Sequence, residues 1–269
     1  MIFDTHAHYD DAAFDEDREE VIGRFGELGI GAVTDPGSTM ESLDRIIALV
    51  GAHANIYGAL GIHPSECAEM TEKDLERIRQ GLRLPKMVAV GEIGLDYHWD
   101  TPERKLQQHW FRRQLDLARE EGKPVIIHSR DAAADTLQIL RECRAEEIGG
   151  VIHCYSYSAE LAPEFWRMGF FLGVGGVVTF RNGKKLKETV RKTPLERIVL
   201  ETDSPYMAPE PHRGERNSSL LLRYVVRQIA EIKELPAEAV VEQTWKNACR
   251  LYRMEECKGA GKSAATTQA

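Results

Sequence analysis

Eight short apolar runs separated by longer amphipathic stretches set the narrowest limits on what this chain can fold into. The runs lie at 2–5, 31–34, 57–61, 88–92, 125–128, 151–154, 170–174 and 198–202. Several of the stretches between them have helical periodicity, among them 16–28, 102–121 and 132–143. Strands that alternate with helices need crossover connections, so the pattern predicts a parallel sheet of βα units. Eight such units in 269 residues suit a (β/α)8 TIM barrel; a doubly wound open sheet is the alternative. Two more helical stretches, 219–231 and 237–252, follow a Pro/Gly-rich loop at 205–214. The expected organisation is one barrel domain over 1–257 and a small, polar, disordered tail over 258–269.

What ends the runs is as informative as the runs themselves. The first closes on Asp4-Thr5-His6-Ala7-His8, the fourth on Glu92, the fifth on His128, the sixth on His153 and the eighth on Asp203. Alternate residues of an extended segment face the same way, so His6 and His8 can reach one ion. In a barrel the C-terminal strand ends converge on one face, where this fold places its chemistry. Four imidazoles and two carboxylates converging there predict a metal site. A single catalytic zinc ordinarily takes three protein ligands, so six candidates suit two ions about 3.5–4 Å apart. Glu92 is the candidate bridge, and Asp203 the candidate base that passes a proton from water to the leaving group.

The net charge of −8 argues against a protein that coats nucleic acid through a broad basic surface, although a metal centre concentrates positive charge locally. The five cysteines are odd in number and never spaced CxxC, as expected of reduced thiols in a cytoplasmic protein. The N-terminus has no basic-then-apolar leader pattern, and no apolar run is long enough to span a membrane. Nothing in the sequence sets the oligomeric state, and a monomer is compatible with it.

Six segments together resemble the TatD-type metal-dependent deoxyribonucleases, within the amidohydrolase-like barrel enzymes. They are Asp4-Thr5-His6-Ala7-His8, Gly61-Ile62-His63-Pro64, Gly91-Glu92-Ile93-Gly94-Leu95-Asp96-Tyr97, the stretch from Pro124 to Arg130, His153-Cys154-Tyr155-Ser156, and Glu201-Thr202-Asp203-Ser204-Pro205-Tyr206. The resemblance spans roughly residues 1–256. It implies His6, His8, Glu92, His128, His153 and Asp203 as metal ligands, the same set the strand ends select. It also implies hydrolysis of DNA phosphodiester bonds, often by 3′-to-5′ trimming of single-stranded or frayed ends, stimulated by magnesium. Four imidazoles by themselves favour zinc or manganese as the bound species. Two positions depart from the family pattern, Tyr157 where glycine is usual and Ser218 where proline is common, both in loops expected at the mouth.

Around this core lie residues with weaker signals. His63, Arg130 and Tyr155 are candidate substrate contacts, and Glu201, with the parity of Asp203, is expected to support a ligand from one layer below. Trp99, Tyr97 and Tyr157 could stack on bases, and Arg181, Lys184, Lys185 and Lys187 could guide a polyanion. His98 and His212 lie near the expected mouth. Cys154 adjoins His153 and by simple alternation faces away, into the core. The competing functional readings are hydrolysis of a small cyclic amide, lactone or ester at a two-metal site, and a metal-bound module without turnover. No lysine falls on a strand end to serve as a modified bridge, which disfavours the first.

Overall fold

All eight apolar runs form strands, and each pairs in parallel with the next in chain order: β1 (Ile2–Asp4), β2 (Ile30–Pro36), β3 (Ile56–Leu60), β4 (Met87–Asp96), β5 (Val125–Arg130), β6 (Gly150–Ile152), β7 (Phe171–Val174) and β8 (Ile198–Leu200). The computed structural model describes residues 1–99 and 101–254, so the predicted tail lies outside the described residues. The sheet curls back on itself. Thr5 N donates to Leu200 O (2.9 Å), Asp203 N to His6 O (2.9 Å) and His8 N to Ser204 O (2.8 Å), joining the ends of β1 and β8. The open doubly wound alternative is excluded by this closure.

The helices are α1 (Arg18–Gly23), α2 (Met40–Ala52), α3 (Glu72–Leu82), α4 (Arg104–Glu120), α5 (Ala133–Glu142), α6 (Ala162–Arg167), α7 (Lys184–Lys192), α8 (Leu222–Lys233) and α9 (Ala237–Leu251). Their placement follows from local chemistry. In α2, Thr39 Oγ1 accepts from Ser42 N (3.0 Å) while Ser42 Oγ accepts from Thr39 N (3.1 Å), a capping box that starts the helix. Leu43, Ile46 and Val50 then recur on one face and are buried. The predicted helix at 16–28 is shorter than expected: α1 stops at Gly23, and a separate 3-10 turn at Gly26–Leu28 ends on Gly29 at φ 74°. Three glycines in seven residues weaken a continuous helix there.

Two strands run past their predicted ends. β4 continues from Glu92 to Asp96, because Ile93 and Leu95 are fully buried and register against Ile127 and Ser129 of β5. β5 correspondingly reaches Arg130. At the other end of the barrel, Phe3, Ala32, Ala59, Ile126, Val151, Phe171 and Val199 form a cluster with Ala248, Leu251 and Tyr252. The Phe3 ring sits 5.6 Å from Trp245 and 5.7 Å from Tyr252, whose hydroxyl donates to Thr5 O at 2.6 Å. The last helix therefore seals that end, leaving the C-terminal strand ends as the open face. Among the described residues no helix is long and apolar enough to cross a membrane.

Candidate metal centre

Beyond β1 the chain stays extended, and Asp4 fixes its course. Asp4 accepts from His6 N (3.3 Å), Thr202 N (3.0 Å), Thr202 Oγ1 (2.7 Å) and Ser219 Oγ (2.6 Å), so one buried carboxyl ties the HxH segment to the exit of β8. The segments so tied carry His6, His8 and Asp203. His6 Nε2 lies 3.1 Å from His8 Nε2, 3.3 Å from Glu92 Oε2 and 3.8 Å from Asp203 Oδ1. His8 Nε2 is 3.8 Å from Glu92 Oε2 and 3.6 Å from Asp203 Oδ1. Donors about 2.1 Å from a common tetrahedral centre would stand about 3.4 Å apart, so His6, His8 and Asp203 are spaced to hold one ion, with Glu92 Oε2 beside both rings.

Glu92 reaches this group from the middle of β4. Its register slips between Val90 and Ile93, which pair with Val125 and Ile127 of β5, so β4 spends one more residue than its partner there. Such a bulge re-aims a side chain beside a site. The outcome divides the carboxylate. Oε2 faces His6 and His8, whereas Oε1 lies 2.8 Å from His128 Nδ1, 3.6 Å from His153 Nε2 and 3.9 Å from His63 Nε2. The rings of His6 and His153 stack at 3.5 Å between the two groups. One carboxylate thus presents an oxygen to each of two donor clusters.

Three further carboxylates stand behind the donors. Asp96, which ends β4, places Oδ2 3.0 Å from His128 Nε2 and so holds the ring by its far nitrogen. The apolar run predicts a strand that ends at Glu92; Ile93 and Leu95, apolar at alternate positions beyond it, are the sequence signal that carries the strand on to Asp96. Glu201 Oε1 lies 3.3 Å from His153 Nδ1 and accepts from Cys154 N at 2.6 Å. Asp10 Oδ1 is 4.0 Å from His8 Nδ1.

The electrostatics follow from packing so many titratable groups together. Burial opposes ionisation of Glu92, but His153, His6 and the hydrogen bond from His128 outweigh it and hold the carboxyl well below its usual range. Asp203 is depressed against the same opposition by His153 and His8. His153 rises to about 10, because Glu201, Glu92 and Asp203 overcome its burial. His63 falls to about 3 through burial and the neighbouring His128. Among the described residues no lysine or arginine pairs with Glu92 or Asp203. Two carboxylates held ionised only by surrounding imidazoles, whose protons a metal would displace, fit a cation.

The remaining candidates fall into three groups. At the rim, His63, Arg130 and Trp99 line an open cleft of about 960 Å³ above the donors, together with Tyr206, Glu66 and Asp96. Arg130 is exposed and makes no ion pair among the described residues, while Trp99 is 61 % and Tyr206 57 % exposed. His63 Nδ1 is already used, accepting from Ser65 N at 3.1 Å, which leaves Nε2 to face the site. Other predicted contacts are structural instead. Tyr155 is 2 % exposed, its ring packs on Phe165 and its hydroxyl donates to Ser158 O at 2.7 Å, so the expectation that it touches substrate is corrected. Tyr157 is committed to Ser129 Oγ (2.8 Å) and Ala132 N (3.2 Å), and Tyr97 to Asp135 (2.7 Å) and the Arg104 guanidinium. His98 pairs with Asp131 and His212 with Glu215. Cys154 departs from its prediction the other way. Its φ of 43° breaks strand alternation, and its sulfur is grouped with donors of His153 and Asp203, all within 4.8 Å of one another.

The chain is similar to known proteins along nearly its whole length. The model of the family described as TatD related DNase matches residues 3–253. The metal-dependent hydrolase YabD of Bacillus subtilis is 43% identical over 254 residues, covering 94% of this chain and 100% of that protein. The hydrolase named TatD of Mycobacterium tuberculosis is 33% identical over 256 residues, covering 93% and 97%. The crystal structure of YjjV, a TatD homologue from Escherichia coli, superposes with a TM-score of 0.89 at 32% identity, covering 94% of this chain and 98% of that one.

Proposed function

The chain belongs to the TatD related DNase family and is a metal-dependent hydrolase; from that premise we propose that it cleaves DNA phosphodiester bonds, removing nucleotides from 3′ ends of single-stranded or frayed strands. The observation that carries this reading is the divided carboxylate of Glu92, one oxygen toward His6 and His8, whose rings also face Asp203, and the other toward His128 and His153. Such a set is suited to two divalent ions with Glu92 between them. Held there, the ions would supply Lewis acidity to the phosphate and lower the pKa of water at the site.

The chain's own groups account for the rest. Asp203, kept ionised and 15 % exposed at its side chain, accepts the proton of the attacking water and returns it to the departing sugar oxygen. Asp96 and Glu201 fix the rings of His128 and His153. Arg130 grips a phosphate oxygen through its fork, and His63, lining the same cleft, contacts that phosphate through Nε2. Trp99 and Tyr206 offer exposed faces on which unpaired bases stack, a contact available to a single strand but not to a closed duplex. The same cleft could receive a small lactone or amide, and the test separates the two.

Metal-stripped protein reloaded with magnesium, manganese or zinc is expected to shorten a 5′-labelled single strand stepwise from its 3′ end. DNA left intact with every ion, beside turnover of lactones or amides, would replace the nuclease reading with the small-substrate one.

A further inference from the structure

We propose that Cys154 supplies a sulfur donor to this centre, so that its His153–Asp203 edge takes thiophilic divalent ions, zinc or cadmium, through nitrogen, oxygen and sulfur together. The inference rests on the reading of the centre as a metal site and adds a ligand class to it.

Three observations converge. First, strand alternation after β6 would bury the thiol on the far side of His153, but Cys154 adopts the left-handed region at φ 43°, which turns its side chain back. Its amide donates to Glu201 Oε1 at 2.6 Å, a bond that holds this turn in place. Second, the sulfur, a ring nitrogen of His153 and a carboxylate oxygen of Asp203 all lie within 4.8 Å of one another. Donors about 2.0–2.3 Å from one tetrahedral ion stand about 3.5 Å apart. The triangle therefore lies within about 1.3 Å of that spacing. Among the described residues Cys154 is the one thiol in such a group; Cys67, Cys143 and Cys249 are in none.

Third, a small cavity opens beside the sulfur and is lined by a buried polar oxygen without a partner. Glu201, 1 % exposed, lines it with Cys154 and Asp203, and its Oε2 has no hydrogen-bond partner among the described residues. Glycine makes room for that carboxyl: a Cβ at Gly173, which also lines the cavity, would stand 2.1 Å from Glu201 Oε2. The space beside the thiol is thus bordered by a buried carboxyl oxygen with no hydrogen-bond partner among the described residues. Hard ions such as magnesium prefer oxygen and gain little from a sulfur, whereas zinc and cadmium gain much, so the thiol separates the two classes.

The test uses metal-stripped full-length protein titrated with cadmium chloride, following the ultraviolet thiolate-to-cadmium charge-transfer band, ¹¹³Cd resonance position and bound cadmium. The wild type is expected to bind cadmium with the band and a sulfur-shifted resonance. Cys154→Ser and Cys154→Ala should lose the band and bind cadmium about tenfold or more weakly, with manganese affinity changed less than about twofold. Cadmium bound without the band, or a band retained in both variants, overturns the sulfur ligand and leaves the metal centre standing. Protein that binds no cadmium at all overturns the centre as well. If neither variant folds, the wild-type resonance decides, since a position typical of nitrogen and oxygen donors alone defeats the proposal.

Discussion

At the scale of single residues, the chemistry turns on which atoms of a side chain are already engaged. Glu92 has both oxygens directed into donor clusters, whereas Asp203 has Oδ1 among ring nitrogens and is the more exposed of the two. Asp203→Asn keeps the shape and removes the proton acceptor; hydrolysis is expected to fall about 10²–10⁴-fold, read as initial rate at saturating metal. An unchanged rate would remove Asp203 from the mechanism. Asp96 touches the far nitrogen of His128 and not the donor atom itself. Asp96→Asn is accordingly expected to weaken metal binding about 10–100-fold, by calorimetric titration, with a smaller effect on the rate at saturating metal. Loss of rate without loss of affinity would instead assign Asp96 to the substrate.

At the scale of elements, β4 and β5 form the most demanding junction in the barrel. Gly94 sits at φ 144°, and a Cβ there would stand 1.9 Å from His128 O. No side chain fits, because the two strands approach at the point where β4 must carry Glu92 inward and Asp96 back to His128. Gly94→Ala is expected to cost at least about 3 kcal/mol, measured by denaturant unfolding, and to weaken metal binding alongside. The opposite end depends on α9. Tyr252→Phe leaves Thr5 O without its donor in the barrel interior and should cost about 1–3 kcal/mol, while metal affinity changes little. A neutral effect would mean that packing against Phe3 is sufficient to seat the helix.

At the scale of the whole molecule, the concentrated charge links stability to pH and to metal. His153, raised to about 10, contributes stability that is complete below its ordinary value of 6.5 and is lost as pH rises toward 10. Asp4, pushed by burial from 3.8 to about 7, acts in the same sense: the folded state binds the extra proton between those values, so stability falls as pH rises through them. Glu92, Asp203 and Asp96 are depressed; their contribution is present above ordinary carboxyl values and is lost on acidification. His63, lowered to about 3, opposes Asp4 over much of that range, its contribution being lost as pH falls below 6.5, so metal-stripped protein should melt highest between about pH 5 and 6.5. Bound ions require the unprotonated ligands and displace those protons, so the rise in Tm on adding manganese should grow from about pH 5 to pH 8. Melts in chelator and in manganese across this range provide the check, and a gain independent of pH would contradict the coupling of ligand protonation to metal.

The residues alone determined the parts of this protein that follow from period and position. Eight apolar runs with helical stretches between them specified parallel βα units, and their polar endings specified that His6, His8, Glu92, His128, His153 and Asp203 would meet on one face. Both are legible because alternation and strand ends are local properties that the barrel merely repeats. Tertiary structure decided the rest. The bulge that splits Glu92 between two clusters comes from the mismatch of β4 with β5, and the run onward to Asp96 depends on β5 to bury Ile93 and Leu95. The turn at Cys154 brings a thiol predicted to face the core toward His153 and Asp203, while packing on Phe165 withdraws Tyr155 from the cleft. Register, left-handed turns and the choice of which aromatic is buried depend on partners distant in the chain, and parity within one strand carries no information about them.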